Sequence, residues 1–285
     1  RRLDRTATTM VADVVLPLHS TRFLVYANVA YLSAVAILLT VCFGGPFQTR
    51  QLARWRSLSR SRTLKWVIGA YNVVCVVLAA SVVVMIGVYK WHKAVSDSGW
   101  SMRHVTCTKW PMAVKGVTSA PTEEDHILLN AIWLFYSQKF FEFFDTIFFI
   151  LKGSRRQVSL LHVYHHVSIT IITGHYMGVM VQDGFSTGDG YLPALINSVV
   201  HVLLYSHYFM RIMCRHVGGA KPWWMSYLTS IQLIQFVAIA IGIGYGAVVC
   251  PENMPPTSYW LGLAYMGSML VLFGRFFVRR YCARA

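Results

Sequence analysis

Charge is scarce in this chain. Only 13% of its 285 residues are Asp, Glu, Lys or Arg, against about 25% in a typical soluble domain. Just 11 are acidic. That deficit excludes a separate soluble domain of ordinary composition. Repeats and low-complexity tracts are also missing, and no cleavable leader is read. Because the sequence opens on Arg1, N-terminal targeting is left open.

What is present is hydrophobic length. Seven apolar runs are read, roughly over 24–45, 64–89, 126–152, 158–181, 191–213, 223–250 and 258–281. A bilayer-spanning helix needs about 20 mostly apolar residues, and each run meets that length. The expected fold class is an all-α polytopic membrane protein, a single transmembrane domain over 1–285.

The net charge of +15 would point to nucleic acid if the charges lay together. They do not. The first inter-run loop holds Arg50, Arg54, Arg56, Arg60, Arg62 and Lys65, the third Lys152, Arg155 and Arg156, the fifth Arg211, Arg215 and Lys221. The C-terminal end adds Arg275, Arg279, Arg280 and Arg284, whereas the fourth and sixth loops hold no Lys or Arg. This alternation follows the positive-inside rule. It predicts an N-terminus outside or lumenal, a cytosolic C-terminus, and a basic cytosolic face suited to anionic lipid or ligand, with no nucleic-acid partner. The same map sets Cys107 and Cys250 on the lumenal side, where thiols oxidise, and predicts a disulfide between them.

Glu142 and Asp145 are the only acidic residues well inside a span. A charge at the bilayer centre costs about 2.5–3.5 kcal/mol on insertion scales, so such residues face a bundle interior and are paired. In KFFEFFDT, Lys139, Glu142, Asp145 and Thr146 are three or four residues apart and share a helix face. Lys139 and Glu142 read equally as a structural ion pair and as the wall of a cavity. The next run opens LLHVYHH, with His162, His165 and His166 on one stripe. The fifth carries NSVVHVLLYSHY, aligning Asn197, His201, Tyr205 and Tyr208, and leaving His207 on another side. The sixth carries TSIQLIQF, repeating Thr229, Gln232 and Gln235 every three residues, as fit for interhelical hydrogen bonds as for a ligand.

All four clusters fall in the cytosolic half or near mid-membrane, and the lumenal halves are almost wholly apolar. The expected shape is a cavity with a polar cytosolic mouth and an apolar blind end. It suits a molecule with a charged head and a hydrocarbon tail, with Arg155, Arg156 and Lys221 flanking the mouth for phosphates.

Two enzyme chemistries use intramembrane histidines. A di-metal oxygenase would use HxxHH as one ligand box, but two metals need several nitrogens each. Only His162, His165, His166 and His201 align, His175 and His207 are isolated, and no HxxxH occurs outside HVYHH. Acyl transfer needs less: a neutral imidazole to attack a thioester or act as base, and nearby donors such as Asn197 or Tyr205 for the oxyanion. A transporter with an intramembrane proton relay is the non-enzyme alternative.

In this order and spacing, KFFEFFDT, HVYHH, NSVVHVLLYSHY and TSIQLIQF resemble the four signature boxes of the very-long-chain fatty acid elongase family. The resemblance runs from about 126 to 281. It implies a 3-ketoacyl-CoA synthase of the endoplasmic reticulum membrane. Such an enzyme joins malonyl-CoA to a long-chain acyl-CoA with no metal or redox cofactor. It also implies seven membrane helices, six of them an inverted-repeat barrel around an acyl tunnel. Membrane lipid, other elongation-cycle enzymes and a second copy of the chain are the implied partners. Carried over by residue, His165 takes the acyl group, His201 assists, and His162, His166, Asn197, Lys139, Glu142 and Asp145 surround them. Tyr205, Tyr208, Gln232, Gln235, Arg155, Arg156 and Lys221 would contact substrate. His207 with Tyr208 and Leu204 depart from the family's usual residues there, and Gln157 before HVYHH looks like the branch acting on polyunsaturated chains.

Overall fold

The computed structural model describes residues 28–29, 31–33, 35–36, 61–96, 103, 106–107, 123–182, 191–213 and 225–282. Among them are seven α-helices: α1 Arg62–Ser96, α2 Glu123–Phe141, α3 Phe144–Leu151, α4 Leu160–Gln182, α5 Tyr191–Met213, α6 Met225–Val249 and α7 Pro256–Phe277. No strand occurs among the described residues. The count matches the seven expected spans, but the correspondence is not one to one. Most of the first run, 24–45, lies outside the described residues, and the third expected span is divided into α2 and α3.

Among the described residues three helices are long and apolar enough to cross a membrane by length and composition: Arg62–Val88 within α1, Tyr227–Val249 within α6, and the stretch Pro256–Cys282 that contains α7. The 23 residues each of α4 and α5 have the length, about 35 Å at 1.5 Å per residue. Their histidine and asparagine stripes lower their hydropathy. Apolar side chains cover the outside as well as the inside. On α1, Val73, Val74, Val77 and Val84 are exposed, while Ile68, Tyr71, Cys75, Ala79, Val82 and Ile86 are buried. The buried set recurs every three or four residues, one stripe of a helix that is apolar all round, as a lipid-facing helix is.

The principal helix pairings close a cycle. α1 packs on α2, α2 on α4, α4 on α7, α7 on α6, α6 on α5, and α5 returns to α1. In this cycle the first three long helices run in chain order and the last three in reverse. A few described helical residues between 28 and 36 lie beside α2 and α4. Tyr31 packs edge-on against Phe140 and Phe143, and its hydroxyl donates to the carbonyl of His166 at 3.0 Å.

The α2–α3 break contains neither proline nor glycine. Glu142 N–H still bonds the carbonyl four residues back, whereas Phe143, Asp145 and Thr146 bond three back. The helix therefore tightens for a turn, and the Phe141 carbonyl left at its end accepts from Tyr71 at 3.4 Å. α3 stops in a Schellman turn. Ser154 N–H bonds the Phe149 carbonyl and Gly153 N–H that of Ile150, with Gly153 at φ 70°, a conformation that favours glycine.

The expected disulfide joins Cys107 and Cys250, with Cα atoms 5.8 Å apart and a sequence separation of 143. It ties the segment between α1 and α2 to the C-terminal end of α6. Tyr259 donates to the Cys250 carbonyl at 3.0 Å, so the bridge also supports the start of α7. Cys250→Ser should lower stability by about 2–4 kcal/mol, as for closing a long loop. Thermal unfolding in detergent with and without reductant checks this, and a Cys107–Cys250 peptide should appear only on the non-reducing map.

Candidate active site

Polar residues of α2, α3, α4 and α5 meet at the α2–α3 break. Lys139, on the last turn of α2, and Glu142, at the break, are 1% and 0% exposed. Lys139 Nζ donates to Glu142 Oε1 at 3.0 Å and Oε2 at 3.2 Å, and to Asn197 Oδ1 on α5 at 3.0 Å. It also stands 4.4 Å from the centre of the Phe135 ring. One buried ammonium thus meets a carboxylate, an amide oxygen and an aromatic face, the company a desolvated cation requires.

α5 adds a second link one turn on. His201 Nδ1 lies 2.9 Å from Glu142 Oε1, which turns Nε2 away from the carboxylate. Another turn on, Tyr205 donates to Asp145 Oδ2 at 2.7 Å. The stripe Asn197–His201–Tyr205 therefore answers Lys139, Glu142 and Asp145 in register. On α4, His162 Nε2 pairs with Thr146 Oγ1 at 2.8 Å. The His162 and His166 ring centres lie 4.4 Å apart with the planes tilted by 52°, and that of His165 lies 5.5 Å from that of His166.

Beside this network runs an elongated cavity. The space between its wall atoms is about 860 Å³, counting the part open at its edge. His165, Asn197 and Tyr265 line it together with Phe135, Ile169, Met177, Phe236 and Ile239. His165 is the one imidazole in that lining among the described residues. Tyr176, also in the wall, is three turns further along α4, about 16 Å at 1.5 Å per residue. There the cavity meets Met254 and Tyr259, beside the disulfide. Tyr176 donates to the Ser258 carbonyl at 2.9 Å, and His175 Nε2 pairs with Ser258 Oγ at 3.0 Å. These hydroxyls are turned into the protein, so that end presents carbon. A histidine-bearing end and an apolar end are what the cluster depths predicted.

The lining omits several sequence candidates. Tyr205 and Tyr208 pack with Tyr71 and Phe148 in a separate aromatic cluster between α1 and α5. Gln235 is buried and Gln232 half-buried on α6, and neither reaches the cavity wall. Arg156 is exposed after α3. The Arg155 side chain and Lys221 lie outside the described residues. Conversely, Tyr265 was not read from the sequence. Its hydroxyl lies 3.5 Å from His165 Nδ1. A single tyrosine in an apolar span carries no pattern; the nearest signal is the run YMGS, which places Ser268 one turn on.

The GNS1/SUR4 family model matches residues 16–285. The chain belongs to the GNS1/SUR4 family. Among curated proteins it is similar to very long chain fatty acid elongase 5 of Homo sapiens, 35% identical over 166 residues, 58% of this chain and 52% of that protein. The same-named protein of Tachysurus fulvidraco is 34% identical over 166 residues, 58% and 53% of the two chains. That of Rattus norvegicus is 34% identical over 175 residues, 61% and 55%. The chain spans about half the length of the curated relatives it matches. In this GNS1/SUR4 member, membrane helices, the site stripes and a disulfide are all present.

Breaking the buried pair from one side should be costly. Glu142→Gln leaves Lys139 desolvated and uncompensated, and is expected to destabilise by about 3–5 kcal/mol. The double variant Lys139→Met/Glu142→Gln should be clearly milder than the sum of its singles. Thermal midpoints of the four proteins check this, and additive losses would contradict a coupled pair.

Proposed function

We propose that this chain is a condensing enzyme of fatty acid elongation, a 3-ketoacyl-CoA synthase. It joins malonyl-CoA to a long-chain acyl-CoA in the endoplasmic reticulum membrane, with its N-terminus lumenal and its C-terminus cytosolic. The observation that carries the reading is the single imidazole, His165, in the wall of an otherwise largely apolar cavity. Family membership and the names of the relatives support the same reaction class. The cyclic helix order supports a six-helix barrel of two inverted halves, and the disulfide supports a lumenal setting for its end of the bundle.

In the proposed reaction the acyl tail lies along the cavity with its thioester beside His165. An imidazole nitrogen attacks the carbonyl carbon, the C–S bond breaks and CoA leaves as thiolate, to be protonated by solvent. Malonyl-CoA then loses CO2, and its enolate carbon attacks the acyl-imidazole. A C–C bond forms, the C–N bond breaks, and 3-ketoacyl-CoA departs. The balance is one acyl-CoA, one malonyl-CoA and one proton in, and one 3-ketoacyl-CoA, one CoA and one CO2 out. No metal or redox cofactor enters it.

Asn197 is the proposed oxyanion donor. Lysine can only donate, so the Lys139 contact commits Oδ1 and leaves the Nδ2 hydrogens for the cavity. Lys139 then positions Asn197 rather than touching substrate. Glu142 holds His201 as the assisting base, and Thr146 fixes His162. Arg155, Arg156 and Lys221 would meet the CoA phosphates, and Gln157 supports polyunsaturated chains as the preferred class.

The test is condensation by purified protein. Malonyl-CoA is supplied with saturated and polyunsaturated acyl-CoAs of graded length, and 3-ketoacyl-CoA is read by mass spectrometry. His165→Ala should cut turnover by about 10²–10⁴-fold, with the folded protein retained by its thermal midpoint. Near-normal turnover in that variant would falsify the assignment. No product from any chain, in folded wild-type protein free of bound product, would return the histidines to proton or metal chemistry.

A further inference from the structure

We propose that Tyr176, seated on Gly262, is the stop that sets how long an acyl tail the cavity accepts, so that both residues determine chain length. The inference rests on the condensing-enzyme reading above, which brings an acyl tail into this cavity.

The end of the cavity away from His165 is closed by side chains. On α4 its wall goes no further than Met177, although the helix runs on to Gln182. On α6 it goes no further than Ile243, although the helix runs on to Val249. Beyond α6 the wall takes Met254 and Tyr259, 3% and 4% exposed. A tail that starts beside His165 therefore ends against packed groups of α4, α6 and α7.

One of those groups is held in a way that leaves it no room to retreat. The Tyr176 ring, three turns of α4 beyond His165, reaches across to the backbone of α7. Its hydroxyl donates to the Ser258 carbonyl at 2.9 Å, and Ser258 is itself buried. One turn along α7 from Ser258 is Gly262, also buried. A methyl group built on Gly262 would overlap the Tyr176 hydroxyl oxygen and stand 3.0 Å from Ile243 Cδ1. Gly262, Tyr176 and Ile243 all belong to the cavity wall. The absent side chain at 262 is thus the recess in which the phenol lies back against α7, clear of the tail.

The recess is particular to this position. Gly267 and Gly274, on the same helix, have no atom within 4 Å of the same added carbon. Glycine weakens a helix relative to alanine, and at 262 that loss is offset by a close approach alanine would not permit. Filling the recess leaves the phenol one direction to move. The α7 backbone stands behind it and the cavity in front, so the ring swings inward and the tail loses length. A shorter side chain at 176 does the opposite, because the volume of the phenol passes to the tail.

Three variants test the stop: Gly262→Ala, Tyr176→Leu and the two together. Gly267→Ala is the control for replacing a glycine of α7. Each is made in the whole chain, and folding is checked by thermal midpoint in detergent. Condensation is run with malonyl-CoA and acyl-CoAs of graded length, and kcat/KM for each is read from the mass of the 3-ketoacyl-CoA. The quantity compared is the ratio of kcat/KM for the longest chain the wild-type protein takes well to that for the shortest. A general loss of activity cancels from it. One carbon more or less in a hydrophobic pocket changes discrimination by about 10–200-fold, so Gly262→Ala should lower the ratio at least about tenfold. Tyr176→Leu should raise it and admit chains longer than the wild-type protein takes. Because the added methyl group acts through the phenol, the double variant should not show the loss that Gly262→Ala causes alone. Gly267→Ala should keep the wild-type ratio.

The wild-type ratio in both single variants overturns the stop and leaves the condensing reading intact. So does a loss in the double variant, or in Gly267→Ala, as large as in Gly262→Ala alone. If Gly262→Ala does not fold, Tyr176→Leu decides, and an unchanged ratio there overturns the stop. No product from any chain in folded wild-type protein overturns the condensing reading, and this inference with it.

Discussion

A lysine ammonium buried in a membrane bundle is the constraint on which the rest of the site depends. Lys139 and Glu142 are each almost wholly removed from solvent. Neither could stay charged there alone, because the desolvation of one ion exceeds what a neutral neighbour returns. The pair solves this, and it fixes two helices in doing so. Glu142 sits at the break between α2 and α3 and meets His201; Lys139 meets Asn197. The two contacts are one turn apart on α5, so rotation or sliding of α5 against α2 would break both. The electrostatics of one ion pair thus sets the register of the polar stripe that faces it.

That register explains why the polar side chains of these helices meet at the α2–α3 break. Outside, α1, α6 and α7 present carbon to their surroundings, as lipid-facing helices must. Inside, polar side chains meet where α2, α3, α4 and α5 converge, and several are committed to one another. Thr146 takes His162, Asp145 takes Tyr205, and Glu142 takes Lys139 and His201. The cavity takes what is left, His165 and Asn197, with a wall otherwise largely of aliphatic and aromatic groups. A closed cycle of helix packing, tied at the disulfide end, holds that wall in shape.

The spans, the stripes and the disulfide were legible because each leaves a periodic or compartmental trace. Imidazoles repeated at every third or fourth position of an apolar helix cost too much to be there for packing alone, and two cysteines that the charge map sets on one side of the membrane have an obvious partner. The α2–α3 break was not legible. Breaks are normally announced by proline or glycine, and the run here is phenylalanine around one glutamate. What ends α2 is tertiary: Glu142 held by groups on another helix, and Tyr71 donating to the Phe141 carbonyl. Tyr265 escaped for a similar reason. Its neighbours in sequence are Ala264 and Met266, and only folding brings His165 to it from 100 residues away. Tyr205, aligned with Asn197 and His201, failed in the opposite sense. Helical phase put it on the right stripe, but it lies past the cavity, where Asp145 claims its hydroxyl.

The four imidazoles near the break are chemically alike in sequence and unlike in the fold. His162 has Nε2 occupied by Thr146, and His201 has Nδ1 turned to a carboxylate. His166 is covered by the ring of His162 and lies beside Tyr31 in a small pocket separate from the main cavity. His165 has the Tyr265 hydroxyl 3.5 Å from its Nδ1. A nucleophile needs a lone pair facing its substrate, and of these four imidazoles His165 is the one that lines the main cavity. The proposed division of labour, one ring for bond formation and three for holding and assisting, is therefore set by what each nitrogen already touches. The HVYHH spacing supplies three candidates, and the partners on α2, α3 and α7 choose among them.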